Sequence, residues 1–145
     1  MTLLVAGVTV HESLAAADLL AATGVRARVI DLYSVKPLDT NTVIQAARET
    51  GNLIVAEDHW AQGGLGDAVL ETLADSDSHA RVRRLAVDTM PTSGQPEELL
   101  RWAGIDRAHI ANATRELLLQ GTVPDGRPSG RVHERTQTLT NQPRR

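Results

Sequence analysis

The densest cluster of side chains that could do chemistry is Glu57-Asp58-His59-Trp60, in which two carboxylates precede an imidazole. Carboxylates beside a histidine could exchange protons with a substrate. The cluster follows the apolar run 53–56, a predicted strand, and open α/β sheets place their sites at that end of a strand. No nucleophile elbow and no Ser/His/Asp set accompanies it. The residues therefore favour a hydrogen-bonded loop against a neighbouring subunit over an acid–base centre, which stays open as the alternative.

Three glycines, Gly63, Gly64 and Gly66, come next, where a predicted helix begins. Backbone N–H groups at a helix start can hold an anion. The dinucleotide-binding pattern G-x-G-x-x-G fails, because Val69 stands where the third glycine belongs, and no G-x-x-x-x-G-K-[ST] occurs. The pattern favours a glycine turn that lets the helix pack closely on the sheet, with an anion site as the alternative.

Two isolated residues, His11 and Lys36, invite catalytic hypotheses that their surroundings do not favour. His11-Glu12 begins like the zinc motif H-E-x-x-H, but Ala15 replaces the second histidine, and one imidazole cannot hold a catalytic zinc. We expect Glu12 to serve as an acid at the positive end of a helix. Lys36, the only lysine beside 14 arginines, could form a Schiff base, but its place in a loop favours solvent exposure.

Strands and helices alternate along most of the chain. Strands are predicted at 2–8, 26–32, 53–56 and 81–87, and helices at 11–23, 40–50, 65–74, 96–102 and 107–120, with a loop at 57–64. Asp39 and Asp106 are predicted to cap helix starts, and Gly24 and Gly51 to end helices. This order predicts one α/β domain over residues 1–120, with a mostly parallel sheet covered on both faces. Residues 121–145 lack apolar periodicity and are predicted to be a disordered basic tail.

Composition narrows the function classes. The chain has 145 residues and no cysteine, which excludes disulfides and thiol catalysis. Residues 1–120 carry 16 acidic and 10 basic side chains, whereas residues 121–145 carry 2 acidic side chains and 5 arginines. A mildly acidic body does not favour nucleic-acid binding. With no apolar run that could span a membrane and no signal peptide, we expect a cytoplasmic protein without membrane partners.

Four longer segments occur in order along the chain: VTVHESLAAADLL, ARVIDLYSVKPLD, LIVAEDHWAQGGLGDAVLETL and LAVDTMPTSGQPEELLRWAGID. Together they resemble the C-terminal domain of transketolase, a thiamine-diphosphate-dependent enzyme family. The family pattern has a V-T-x-H-E-A helix start, an I-K-P-L-D loop, a V-E-D-H…G-G-x-G-x-A-V turn and a P-x-S-G-x-P-x-E-L-L-x-x-x-G-I-D stretch. The resemblance covers about Thr2 to Leu118 and excludes the tail.

The resemblance implies a fold and a reaction. The family's domain is a three-layer α/β/α sandwich around a mixed sheet of about five strands. A fifth strand, antiparallel, is therefore expected near Thr9–Val10 or Asp88–Thr89. Transketolases are transferases of the pentose phosphate pathway that move a two-carbon ketol unit between sugar phosphates.

The resemblance also implies what this chain lacks. In the family, Mg²⁺ and thiamine diphosphate lie between two other domains and are held by a G-D-G motif, whose nearest strings here are 66–68 and 125–127. No catalytic, cofactor-binding or metal residue carries over. We therefore expect a structural domain, inactive alone, that assembles with a chain carrying the thiamine-diphosphate domains or with itself. The candidate interface or ligand loop comprises Glu57, Asp58, His59, Trp60, Gly63, Gly64 and Gly66. The alternative is a free-standing small-molecule or anion-binding regulatory module.

Overall fold

The computed structural model describes residues 1–120, so the predicted tail at 121–145 lies outside the described residues. The elements in chain order are β1 (Thr2–Val5), α1 (Thr9–Ala21), β2 (Arg28–Asp31), α2 (Thr40–Thr50), β3 (Asn52–Trp60), α3 (Leu65–Ala74), β4 (Arg81–Val87), α4 (Pro96–Trp102) and α5 (Arg107–Gln120). Each predicted strand and helix is present, with shifts of a few residues at the ends.

Strand β3 is longer than its apolar run. The prediction of a loop from residue 57 is wrong, because the strand continues through Glu57 to Trp60. Its pairing with β4 is interrupted between Ala56 and Trp60 and resumes where Trp60 lies opposite Val87. The N–H of Ala61 then donates to the carbonyl of Val87 at 3.2 Å, which keeps this irregular end of β3 attached to the sheet. A polar sequence on an interrupted strand does not show the alternation that marks strands.

The sheet has the order β2-β1-β3-β4, and all of its pairs are parallel. Within residues 1–120 it has four strands, and neither expected position supplies a fifth. Thr9 and Val10 open α1, where the Thr9 hydroxyl donates to the carbonyls of Ala6 and Ala56, each at 2.8 Å. Asp88 and Thr89 leave the sheet after Val87 and are exposed.

Two aliphatic cores lie on opposite faces of the sheet. One joins Leu4 and Val55 of the sheet to α2 and α3, and the other joins Leu3, Val5 and Ile54 to α1 and α5. Because successive strand side chains point to opposite faces, the central strands are apolar throughout rather than alternating. The three-layer α/β/α sandwich is confirmed.

The chain has no phenylalanine, and its three aromatic side chains are all at the surface. Tyr33 is 90% exposed, Trp60 47% and Trp102 45%. Leucine, isoleucine, valine and alanine therefore fill both cores, and no aromatic side chain is part of either core.

Caps of the predicted type define several helix ends. Asp39 accepts a hydrogen bond from the N–H of Thr42 at 3.1 Å at the start of α2, and Gly51 ends that helix with φ of 64°. Asp106 accepts from the N–H of His109 at 3.0 Å at the start of α5.

Helices α1, α2 and α3 each follow a strand of the parallel sheet and therefore begin at its carboxyl edge, where the candidate site lies. Helix α5 begins there too, because the N–H of its first residue, Arg107, donates to Glu12 in the first turn of α1.

Candidate functional site

Glu57 is fully buried, although it is an acidic residue at the end of a strand. Its Oε2 accepts a hydrogen bond from the N–H of Leu65 at 2.5 Å, and its Oε1 accepts one from the N–H of Gly66 at 2.8 Å. A carboxylate at this place satisfies two otherwise unpaired donors and sits at the positive end of the helix dipole. Glu57 therefore joins the end of β3 to the start of α3.

Two of the three glycines are required by the close approach of Glu57. A Cβ atom at Gly64 would lie 2.1 Å from Glu57 Oε2 and 3.0 Å from the carbonyl oxygen of Trp60. A Cβ atom at Gly66 would lie 3.0 Å from Glu57 Oε1 and 2.5 Å from Cδ of Arg84. Real Cβ atoms do not approach other heavy atoms this closely, so any larger residue would displace the carboxylate. The interpretation of these glycines as a turn for close packing agrees with this geometry.

Gly63 belongs to a second set of contacts around the same turn. It has φ of 74°, a conformation that favours glycine, and its N–H donates to Oδ2 of Asp67 at 2.7 Å. Asp67 also pairs with the guanidinium of Arg84 on β4. The hydrogen bond from Gly63, together with Arg84, lowers the pKa of Asp67 below its ordinary value. The turn is thus held by Glu57 from inside and by Asp67 from outside.

His59, Asp58 and Trp60 lie on the solvent side of Glu57. Nδ1 of His59 lies 3.4 Å from Oε2 of Glu57, and Nε2 lies 3.8 Å from Oδ1 of Asp58. Half of the His59 side chain is exposed, as is Trp60, and Asp58 faces Gly7 after β1. In the described part of the chain, no hydroxyl group bonds to this histidine. The cluster has an imidazole between two carboxylates but no paired nucleophile.

The start of α3 does not fit a bound diphosphate or a phosphate. The N–H groups of Leu65 and Gly66 already donate to Glu57, and a second negative charge beside that carboxylate would be repelled. Among residues 1–120, no group of three or more histidine, aspartate or glutamate side chains could hold a metal ion. Within residues 1–120, neither the start of α3 nor a cluster of three such side chains offers a place for a diphosphate and its Mg²⁺.

Sequence reasoning placed Glu12 in the first turn of a helix, where it lies, but missed that its carboxylate is buried and bound to Arg107. It accepts hydrogen bonds from Arg107 at three atoms, the backbone N–H at 2.7 Å, Nε at 3.0 Å and Nη2 at 2.8 Å. These bonds lower the pKa of Glu12 below its ordinary value of 4.5, mainly through the guanidinium of Arg107. Glu12 thus joins α1 to the first residue of α5, and no local signal links two residues so far apart in sequence. His11 and Lys36, the other single candidates, are both exposed.

The described residues contain no helix long and apolar enough to cross a membrane.

Comparisons with known proteins agree on one family. The family described as "Transketolase, C-terminal domain" matches residues 1–110. Human transketolase is 44% identical over 119 residues, which are 81% of this chain and 19% of that protein. Transketolase-like protein 1 of Macaca fascicularis is 46% identical over 120 residues, which are 82% of this chain and 20% of that protein. The chain thus spans about a fifth of the length of these curated relatives.

Solved structures show the same likeness. The structure titled "Split gene transketolase, inactive beta4 tetramer" has a TM-score of 0.76 and 33% identity, over 81% of this chain and 39% of that one. A transketolase from Campylobacter jejuni, at 17% identity and a TM-score of 0.55, covers 79% of this chain and 16% of its own and shares the fold.

Proposed function

The chain belongs to the transketolase C-terminal domain family, and from this premise we propose that it is a structural domain of a transketolase-type transferase. The cofactor domains of that enzyme would be supplied by a partner chain. The enzyme would use thiamine diphosphate and Mg²⁺ to move a two-carbon ketol unit between sugar phosphates. This chain would supply scaffold and contact surface and would be inactive alone.

The observation that carries the proposal is the buried Glu57 carboxylate. It accepts hydrogen bonds from two N–H groups at the start of α3, those of Leu65 and Gly66, and so places a negative charge where an anion would otherwise bind. The helix starts of α2 and α5 are capped by Asp39, Asp106 and Glu12, whereas α1 begins without a side-chain cap. Backbone N–H groups that in another protein could bind a phosphate donate here to carboxylates of this chain, and Glu57 and Glu12 thereby connect one element to another.

The split-gene structure supports a partner on a separate chain. That protein is a split-gene transketolase, and the match to it covers 81% of the present chain. An enzyme divided in this way requires an interface between its parts. We propose that the candidate loop contributes to that interface through the exposed side chains of Asp58, His59 and Trp60, while Glu57 and the glycines hold the loop in shape.

The alternative of a free-standing anion-binding module finds no support at the predicted place. Its site was expected at the carboxyl edge of the sheet together with the start of α3, and at that helix start Glu57 accepts from the N–H groups of Leu65 and Gly66. A rise in melting temperature on addition of a phosphorylated sugar would support the anion-binding module instead.

A pull-down tests the proposal. The tagged chain is incubated with lysate of its native cell, and the bound proteins are identified by mass spectrometry. We expect recovery of a chain whose sequence contains the thiamine-diphosphate domains. Recovery of no such chain would contradict the proposed function.

A further inference from the structure

A large apolar side chain is exposed at or shortly after the carboxyl end of every strand of the sheet. These residues are Val8 after β1, Tyr33 after β2, Trp60 at the end of β3 and Met90 after β4. Val8 is 39% exposed and Met90 81%. Because the four strands are parallel, their carboxyl ends meet at one edge, in the order Tyr33, Val8, Trp60, Met90. With strands about 4.8 Å apart, this row extends over roughly 14 Å.

The segment between β4 and α5 is also poorly covered. All residues from 88 to 98 are exposed, and α4 has no buried residue. The helix is nevertheless well defined, with a proline at its start and reciprocal bonds between Gln95 and Glu98. Helices shorter than about 12 residues depend on tertiary packing for their stability. The α4 arm (residues 88–102) therefore has a formed helix without the packing that usually accompanies one.

A cleft separates α4 from the body of the domain. It has a volume of about 300 Å³ and is lined by Leu100 and Glu97 of α4 and by Glu12 and Arg107 at the starts of α1 and α5. Those helices begin at the carboxyl edge, so the α4 arm lies beside the row of apolar side chains. We call the row and the arm together the carboxyl-edge surface.

The residue types of this surface are those of protein interfaces. Tryptophan, tyrosine and methionine are enriched at the centres of interfaces and account for much of their binding energy. In a chain whose core uses no aromatic residue, Tyr33 and Trp60 lie at this edge, and Trp102 is exposed at the end of α4. An apolar row beside an unpacked helix is suited to a partner that covers both.

The charge of the surface restricts the partner. Exposed carboxylates at the strand ends and on the arm are Asp31, Asp39, Asp58, Asp88, Glu97 and Glu98. The exposed cations of the same segments are Lys36 and Arg101, and Arg107 is already bound by Glu12. A second copy docked face to face would bring like charges together, which is unfavourable. The charges complement a partner that carries arginine or lysine.

We propose that the carboxyl-edge surface is where this chain docks onto the chain that carries the thiamine-diphosphate domains. That partner presents an apolar surface bordered by arginine or lysine side chains, and α4 packs against it. This inference rests on the proposed function, and it assigns the docking face and the chemistry of its occupant.

Cross-linking tests the location directly. The chain has no cysteine, so a single introduced cysteine can carry a benzophenone cross-linker at one known place. Tyr33→Cys and Met90→Cys place it on the surface, at the two most exposed apolar positions. Leu19→Cys on α1 and Leu70→Cys on α3, 45% and 41% exposed, are the matched controls. We expect cross-links to the cofactor-bearing chain from the first pair only.

Binding variants test the energetics in the same pull-down. Tyr33→Ser with Met90→Ser, and separately Asp88→Lys with Glu97→Lys, should reduce recovery of the cofactor-bearing chain about tenfold or more. Leu19→Ser with Leu70→Ser, and Glu71→Lys with Asp75→Lys, should leave recovery unchanged. Circular dichroism of every variant confirms that it is folded.

The outcomes separate this inference from the proposed function. Equal recovery by the wild-type chain and all variants would overturn the docking face while the proposed function stands. Recovery of no cofactor-bearing chain by the wild type would overturn both. Cross-links from Tyr33→Cys and Met90→Cys to a second copy of this chain would show that the face is a self-association surface and would overturn the inference.

Discussion

Replacing Glu57 by glutamine tests whether its carboxylate holds β3 to α3. Glutamine has nearly the same shape, so it removes the negative charge and one acceptor without creating a cavity. Its oxygen can still accept from one of the two backbone N–H groups, but its NH₂ group must then face the other. The variant therefore leaves one buried donor without a partner.

The size of the effect follows from these contacts. A hydrogen bond to a charged group contributes about 1.5–3 kcal/mol, and an unsatisfied buried donor costs about 1–3 kcal/mol. A negative charge at a partly buried helix start adds up to about 2 kcal/mol. One effect opposes these losses: burying the neutral glutamine avoids the free-energy cost of removing a charge from water. We expect the free energy of unfolding to fall by about 2–4 kcal/mol, out of the ~5–15 kcal/mol of a typical domain.

Urea unfolding followed by far-ultraviolet circular dichroism measures this difference. Asp58→Asn is the matched control, since it makes the same chemical change at the neighbouring, exposed residue. We expect the control to change stability by less than about 0.5 kcal/mol. If the two variants were equally stable, the carboxylate of Glu57 would not be the connection between strand and helix, and the reasoning would be refuted.

Three further predictions concern the same contacts. Gly64→Ala should destabilise the domain by about 2–4 kcal/mol, because its Cβ would displace Glu57, whereas Gly94→Ala, whose nearest neighbours lie at 3.4 Å, should be neutral in the same urea assay. Glu12→Gln should make the free energy of unfolding depend less on pH in the acid range. Because the pKa of Glu12 is lowered on folding, its contribution is present above its ordinary pKa of 4.5 and is lost as pH falls through the lower folded value. Thermal melts from neutral pH down to acid pH would show it, and unchanged acid sensitivity would contradict it. Millimolar inorganic phosphate should leave Tm within about 1 °C, and a larger rise would show that Glu57 does not close the helix start to anions.

Most of the fold could be predicted from sequence because its signals are local. The apolar run at 53–56 marks a strand buried on both faces, and Asp39 and Gly51 mark the ends of α2. The end of β3 could not be predicted in the same way. Its last residues are polar, and their strand conformation depends on pairing with β4 across an interruption.

The candidate site could be located but not described from sequence. The cluster at 57–60 and the following glycines pointed to the correct edge of the sheet. The burial of Glu57 was not predictable, because glutamate is seldom fully buried and only its partners across eight and nine residues explain it. The only sequence feature that pointed to this burial was the pair Gly64 and Gly66, since two glycines at a helix start indicate that another group of the protein approaches the backbone closely. The bond between Glu12 and Arg107 links distant parts of the chain and left no such signal.

The central claim is that this domain contributes structure to an enzyme whose cofactor lies on another chain. Reconstitution tests it most directly: ketol transfer between sugar phosphates is assayed, with thiamine diphosphate and Mg²⁺ present, for this chain alone, for the recovered partner alone and for their mixture. We expect that this chain alone is inactive and binds no thiamine diphosphate by calorimetry, while the mixture is more active than the partner alone. Cofactor binding or ketol transfer by this chain alone would contradict it, and so would a partner whose activity this chain leaves unchanged.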